Sequence, residues 1–314
     1  MGNGDTSLQI AVLVWVGCAV RNVDRFEEGK LLTIVDLNAE AEKLTTLHGV
    51  SPQATPTQRN GGIARLGTYR GGILLLGTNT SPGHRGHWEI HPEDELIHML
   101  DGTKTLEIVC DDGPPRSFKL RAGTIAVVPQ GAWHRFHSMG YALAWSAVIP
   151  GPHCELDVPD PRPHVPTSSE DIPFANRSPS IIDLRRELAT LTMVRRTPEA
   201  TAADRNGSVA ELAPYRDGLL LAAKASGKDS WQRHLGGEEI IHVLDGTASL
   251  ELAWDDGPPK SFPLRSGTMG VIPQGAWRRL VSPEGVTHVA VTPCGGETIE
   301  RDVDDPRSAA PKAA

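Results

Sequence analysis

The stretch VVPQGAWHRF (residues 127–136) occurs a second time as VIPQGAWRRL (271–280), with Arg278 where the first copy has His134. Outward from this phrase the match continues in both directions. ELIHMLDG (95–102) returns as EIIHVLDG (239–246), and DDGPPRSFKLRAGT (111–124) as DDGPPKSFPLRSGT (255–268). RNGGIARLGTYRGGILLLG (59–77) returns as RNGSVAELAPYRDGLLLAA (205–223), and IVDL (34–37) as IIDL (181–184). Colinear halves offset by about 144 residues are duplicated domains, since a short solenoid unit would recur more often.

Within each half the pattern is that of short strands. GGILLLGT, TLEIVCD, SFKL and TIAVVP are apolar or alternating runs separated by Gly, Pro and Asp, and DDGPP has the composition of a hairpin turn. Strands this short, with a turn every few residues, predict an all-β sandwich or barrel in each half. Helical character is confined to residues 39–47 and 185–191, expected outside the barrels. The resulting division is an N-terminal extension (1–32), a first domain (33–155), a linker rich in Pro, Asp and Ser (156–179), a second domain (180–300) and a disordered tail (301–314).

Composition narrows the partners. The net charge of −8 and the lack of a basic run or recognition helix argue against nucleic acid. Residues 7–20 are apolar but too short to span a bilayer and lack the basic start of a signal peptide, so no membrane partner is expected. Met1-Gly2 with Thr6, and Gly17-Cys18, are only weak matches to lipidation patterns. The four cysteines form no C-x-x-C pair, which points to a reducing, cytoplasmic setting.

Chemistry concentrates in the first half. In an extended strand side chains alternate, so Glu89 and His91 face the same way, as does His87 if no bulge intervenes. Glu95 opens the next strand and His134 follows a Pro-x-Gly turn. Two imidazoles and one or two carboxylates converging in a barrel suit a divalent first-row metal.

At this point both halves resemble cupins. The first cupin motif, G-x5-H-x-H-x(3,4)-E-x6-G, falls on Gly83, His91, Glu95 and Gly102; the second, G-x5-P-x-G-x2-H-x3-N, falls on Gly123, Pro129, Gly131 and His134. The resemblance implies a double-stranded jelly-roll barrel per half, with a metal held by His91, Glu95 and His134. The sequence departs from the pattern at Glu89, in place of the first histidine, and at Ser138, in place of the final asparagine. Either Glu89 is a fourth ligand, or a general base, or His87 substitutes from upstream. Met99 and Phe136 are candidates to line the pocket.

In the second half Gln232 and Arg278 replace ligand positions while His234 and Glu239 remain. A guanidinium cannot ligate a cation, so the expectation is an eroded site in which Arg278 contacts Glu239, or else holds the carboxylate of a small ligand. His98 and His242, out of phase with the inward set, are expected on the outer face at a domain or subunit interface. His137 is expected to be exposed, and Trp88, Trp133, Trp231 and Trp277 to be packing anchors. The resemblance implies one divalent transition metal (Fe, Mn, Ni or Zn) in the first barrel, and dioxygenase-type oxidation of a small organic acid or phenol. A metal-dependent isomerase, decarboxylase or cyclase, or a non-catalytic protein binding a sugar or organic acid, are the alternatives. A homodimer through sheet edges is the expected assembly.

Overall fold

The computed structural model describes residues 32–44, 62–79, 86–109, 113–149, 158–164, 177–201, 203–254, 257–310 and 312–313. The first half runs β1 (Thr33–Asp36), α1 (Leu37–Ala41), β2 (Ile63–Tyr69), β3 (Gly72–Asn79), β4 (Glu95–Ile108), β5 (Arg116–Arg121), β6 (Thr124–Val128) and β7 (His134–Val148). The second runs β8 (Ser180–Asp183), α2 (Leu184–Ala189), β9 (Val194–Arg196), β10 (Val209–Tyr215), β11 (Gly218–Lys228), β12 (Trp231–His234), β13 (Glu239–Ala253) and β14 (Lys260–Arg265). It ends with β15 (Thr268–Ile272), β16 (Trp277–Pro293), β17 (Gly296–Ile299) and β18 (Lys312–Ala313). The protein is built almost wholly of strands, in two tandem barrels of like topology, as the repeat and the strand pattern implied. Residues 1–31, Gly83, His84 and most of the linker lie outside the described residues.

Each barrel is built around two long antiparallel strands, β4 with β7 and β13 with β16. The first part of β4 (Glu95–His98) pairs with β6, and the part beyond Gly102 pairs with β5, so one strand serves both layers. Gly102 makes that bend, at φ 70°, where a Cβ would lie 1.9 Å from the carbonyl oxygen of Tyr141. Gly246 does the same in β13 against the carbonyl of Gly285. Only glycine tolerates both the positive φ and the close approach.

The domain boundaries read from sequence are corrected in three places. β1 pairs with β15 of the second barrel, and β8 pairs with β6 of the first, so each half lends its opening strand to the other. A four-residue strand carries no sequence mark of its partner, and self-comparison assigns it to the half in which it lies. Each exchanged strand ends in an aspartate that caps the following helix: Asp36 accepts from Asn38 and Ala39, and Asp183 from Arg186. The same aspartates pair with arginines of the receiving barrel, Arg265 and Arg121. The helices they start are shorter than the sequence suggested, because α1 ends by Ala41 and α2 by Ala189.

The remaining two corrections concern the linker and the tail. Residues 301–310 are not disordered. Trp231 donates its indole N–H to the Val303 carbonyl, Arg279 reaches the same oxygen, and β18 pairs with β17. The linker contains the matching plug, in which the Trp88 indole donates to the Val158 carbonyl. Val-x-Asp-Pro-Arg occurs at 158–162 and again at 303–307, with Arg162 bound to Asp160 and Gly113, and Arg307 to Asp305 and Gly257. The duplication therefore extends through segments whose Pro and Asp content looked like spacer.

The largest apolar cluster lies between the barrels, joining Leu74, Leu76, Leu96 and Trp145 to Tyr215, Leu220, Ile240 and Val291. His98 and His242 meet there, ring centroids 5.2 Å apart, and the Trp145 indole donates to His242 Nδ1. Both histidines are buried, at an interface within one chain. The contact is locked reciprocally: Asp94 accepts from the backbone N–H of Arg216, and Glu238 from that of Arg70. Among the described residues no helix is long and apolar enough to cross a membrane.

Two expectations follow. A chain ending at Glu300 loses the carbonyl that satisfies the buried Trp231 and Arg279 donors, and should unfold about 1–3 kcal/mol more easily in denaturant titration. Burial holds His242 at about 4, down from 6.5, and His98 well below 6.5, with His242 pressing further on His98. The unfolded chain takes up these protons below about 6.5 and the folded chain does not, so their contribution is intact above 6.5 and declines toward 4. The melting temperature should fall more than about 5 °C between pH 7 and 4.5, and fall less in a His98→Leu/His242→Leu chain.

Candidate metal centre

Four side chains from three segments meet at one end of the first barrel. Glu89 and His91 come from the segment before β4, held against β7 by the paired backbone bonds between Glu89 and His134. Glu95 is the first residue of β4 and His134 the first of β7. One ligand atom from each of Glu89, His91, Glu95 and His134 lies within 4.8 Å of the others. His134 Nε2 is 2.9 Å from Glu95 Oε2 and 3.5 Å from Glu89 Oε1; His91 Nε2 is 3.7 Å from Glu95 Oε2. His87 is not part of the group, so of the two upstream alternatives the geometry brings in Glu89.

The donor set fits a cation. His134 Nδ1 lies 3.0 Å from the Ala132 carbonyl, which can only accept, so that nitrogen carries the proton and Nε2 is left facing carboxylates. A lone pair aimed at Glu95 from 2.9 Å requires a positive charge between them, a proton or a metal ion. Burial acts against protonated His134, but the Glu95 hydrogen bond and the Glu89 charge outweigh it and push the imidazole up to about 9. Burial also pulls His91 down to about 4, which leaves it neutral and able to ligate. The Glu95 carboxyl, raised by burial alone, is held below its ordinary value by His134 and His91. Glu89, 46% exposed, is the open side of the group, whereas His134 is fully buried.

The surroundings differ from expectation in detail. Phe136 packs its ring edge-on to His134 at 5.9 Å, beside the site. Met99 is fully buried in the barrel core with Ile97 and Leu106, where it fills space rather than offering an exposed wall. His137 is half-buried and bonded to Glu107, not free in solvent; Arg135 binds the same carboxylate and stacks on Trp88 at 4.0 Å. Sequence reading passed over Lys104. It stands on β4 opposite Ser138, with its ammonium 5.7 Å from the Phe136 ring, in the field of Glu95 and Glu89. The signal was available, because the aligned position in the second half is Ala248.

The second barrel places its counterparts on the same spot with another solution. Arg278 Nε and Nη2 donate to the two oxygens of Glu239 at 2.7 and 2.6 Å, both side chains buried. Thr292 adds a bond to Glu239 Oε1, and His234 Nε2 lies 3.8 Å from that oxygen. Gln232 pairs through its backbone with Arg278 and turns its amide toward Ser230. Burial would raise the Glu239 carboxyl, but Arg278 and His234 keep it below the usual range.

Residues 78–146 match the Cupin domain family, which spans this group of ligand atoms. That match covers most of the first barrel, and the second barrel repeats the same strand pairing, β13 with β16 as β4 with β7. Oxalate decarboxylase from Bacillus subtilis, solved at pH 4.6, aligns at 14% identity over 85% of this chain and 73% of its own, with a TM-score of 0.45. A second structure of that enzyme, from work on its Mn(II) centres, gives 0.44 at 14% identity over 85% and 74%. A Cupin 2 conserved barrel domain protein from Leptotrichia buccalis aligns at 10% identity over 86% and 97%, with a TM-score of 0.47. None of these likenesses bears on the chemistry, and no curated protein matches the sequence.

Replacing one member of the buried Arg278–Glu239 pair strands the other. Arg278→Met should destabilise the chain by about 3–5 kcal/mol in chemical denaturation, while Arg278→Met with Glu239→Leu recovers most of the loss.

Proposed function

We propose that the first barrel is a mononuclear metal-dependent enzyme site for a small organic anion, with oxidation of the dioxygenase type as its reaction. The observation that carries this reading is the convergence of Glu89, His91, Glu95 and His134, with His134 Nε2 turned onto Glu95 by its Nδ1 bond to Ala132. Two carboxylates in the donor set favour a hard ion such as Mn(II) or Fe(II) over copper. When bound, such an ion supplies Lewis acidity and, with a redox-active metal, a site for dioxygen.

The chain's own residues account for the rest. His134 and Glu95, buried and mutually bonded, form the rigid part of the site. Glu89, partly open to solvent, is placed either to complete the ligand set or to take a proton from an incoming substrate. Lys104 supplies the anion preference. No carboxylate among the described residues lies within ion-pair distance of it, and burial lowers its ammonium below the ordinary lysine range while Glu95 and Glu89 hold it up. Phe136 lies between Lys104 and His134, an apolar floor for the carbon frame of the substrate.

Metal analysis of purified protein tests the site. Wild type and His234→Ala should each carry about one equivalent per chain, and His134→Ala less than about a tenth. Lys104→Met should keep its metal but raise KM for an acid substrate about tenfold or more. Reconstitution with Fe(II) or Mn(II) without oxygen, then oxygen-uptake screening on small keto and aromatic acids, tests the reaction. Carbon dioxide release without oxygen uptake would favour the decarboxylase alternative, and wild type without metal would end the enzyme reading.

A further inference from the structure

Among the described residues the second barrel brings together no ligand set for a metal, yet its interior is not filled. A cavity of about 530 Å³ lies there, within the range of small-molecule sites. Its lining includes Arg196, Arg205, Arg278, Asp229 and His288. Arg278 is already engaged through two nitrogens with Glu239. Arg196 gives only Nη1 to Asp229, at 2.8 Å. Its Nε and Nη2 are buried without a partner among the described residues, as are Arg205 Nε and His288 Nδ1. Arg196 and His288 are each only 7% exposed, so these are polar atoms withdrawn from water, guanidinium donors beside a neutral imidazole.

Buried guanidinium donors are costly to leave unmatched, so their convergence on one cavity points to a partner that accepts hydrogen bonds. Three guanidiniums, Arg196, Arg205 and Arg278, line the cavity; Asp229 and Glu239 are the buried carboxylates beside them, while Glu211 is exposed at the rim and Glu300 acts on Arg205. The lining also has an apolar part, Leu221, Ala223 and Ala290, on the strands that carry His288, where Ala223 is its cross-strand neighbour. Unmatched N–H groups of planar guanidiniums beside an apolar surface suit a flat acceptor on a carbon frame, a carboxylate rather than phosphate.

We propose that the second barrel binds a small organic carboxylate between Arg196, Arg205 and His288, with its carbon frame against Leu221, Ala223 and Ala290. This site shares no residue with the first-barrel centre and stands whether or not that centre is an enzyme. The three side chains come from separate elements, since Arg196 is on β9, Arg205 follows it in a short helical turn and His288 is on β16. The turn is held in place by bonds from Arg205 to Ser230 and Ala200.

Isothermal titration of the full chain with butyrate, benzoate and inorganic phosphate is the test. At least one carboxylate should bind with a Kd below about 1 mM, and phosphate about tenfold more weakly or not at all. Arg205→Gln, which also gives up the bonds to Ser230 and Ala200, should weaken carboxylate binding about tenfold or more in protein that still melts in one cooperative transition. Arg196→Gln with Asp229→Asn, which removes a charge pair without stranding either member, should weaken it likewise, whereas His134→Ala in the other barrel should leave it unchanged. The proposal is overturned by no carboxylate binding up to about 10 mM, by phosphate binding more tightly, by undiminished binding in Arg205→Gln, or by loss of binding in His134→Ala.

Discussion

Each barrel begins its central strand with a glutamate whose carboxylate is buried, and the need to neutralise that charge organises the interior around it. An ionised carboxylate away from water is unstable unless paired or bound to a cation. Glu95 meets His134 and His91, and Glu239 meets Arg278 and Thr292, at equivalent places in the two barrels. The two answers differ in what they permit. Imidazoles can exchange a proton for a metal ion, while a guanidinium fills the position permanently.

That difference divides labour across a shared scaffold. The barrels exchange opening strands, join along a common apolar interface, and cap each other's turns at Arg70 and Arg216 through Glu238 and Asp94. Asp94 directly precedes Glu95 and accepts from the Arg216 backbone as well as from Gln130 and Arg177, so the segment leading into the Glu89–His91–Glu95–His134 group is anchored in part from the second barrel. The second barrel acts on the first through position: it supports one end of the strand that carries Glu95. Its own interior carries Arg196, Arg205 and Arg278.

Several elements show where reading the chain in one dimension succeeds. The motif spacing located Glu89, His91, Glu95 and His134, because ligand positions in a bent β-barrel fall at fixed intervals along alternating strands. Arg278 opposite Glu239 was legible for the same reason. Lys104 was visible only as a difference from Ala248, and its relevance depends on how far a long side chain leans over Phe136, which strand phase does not specify. The plugs at Val158 and Val303 were hidden by composition: Pro and Asp mark spacers, yet here they form tight turns that present a carbonyl to a buried tryptophan.

The sequence alone determined the duplication, the all-β barrels and which half retains imidazoles at the motif positions, since these depend on local periodicity and on the identity of single residues. The tertiary structure decided which barrel receives each opening strand, that His98 and His242 face each other inside the chain, and that Arg196, Arg205 and His288 surround one cavity. Those outcomes rest on contacts between residues far apart in the chain, whose energies come from burial and from charge balance in three dimensions. No local pattern in the chain records them.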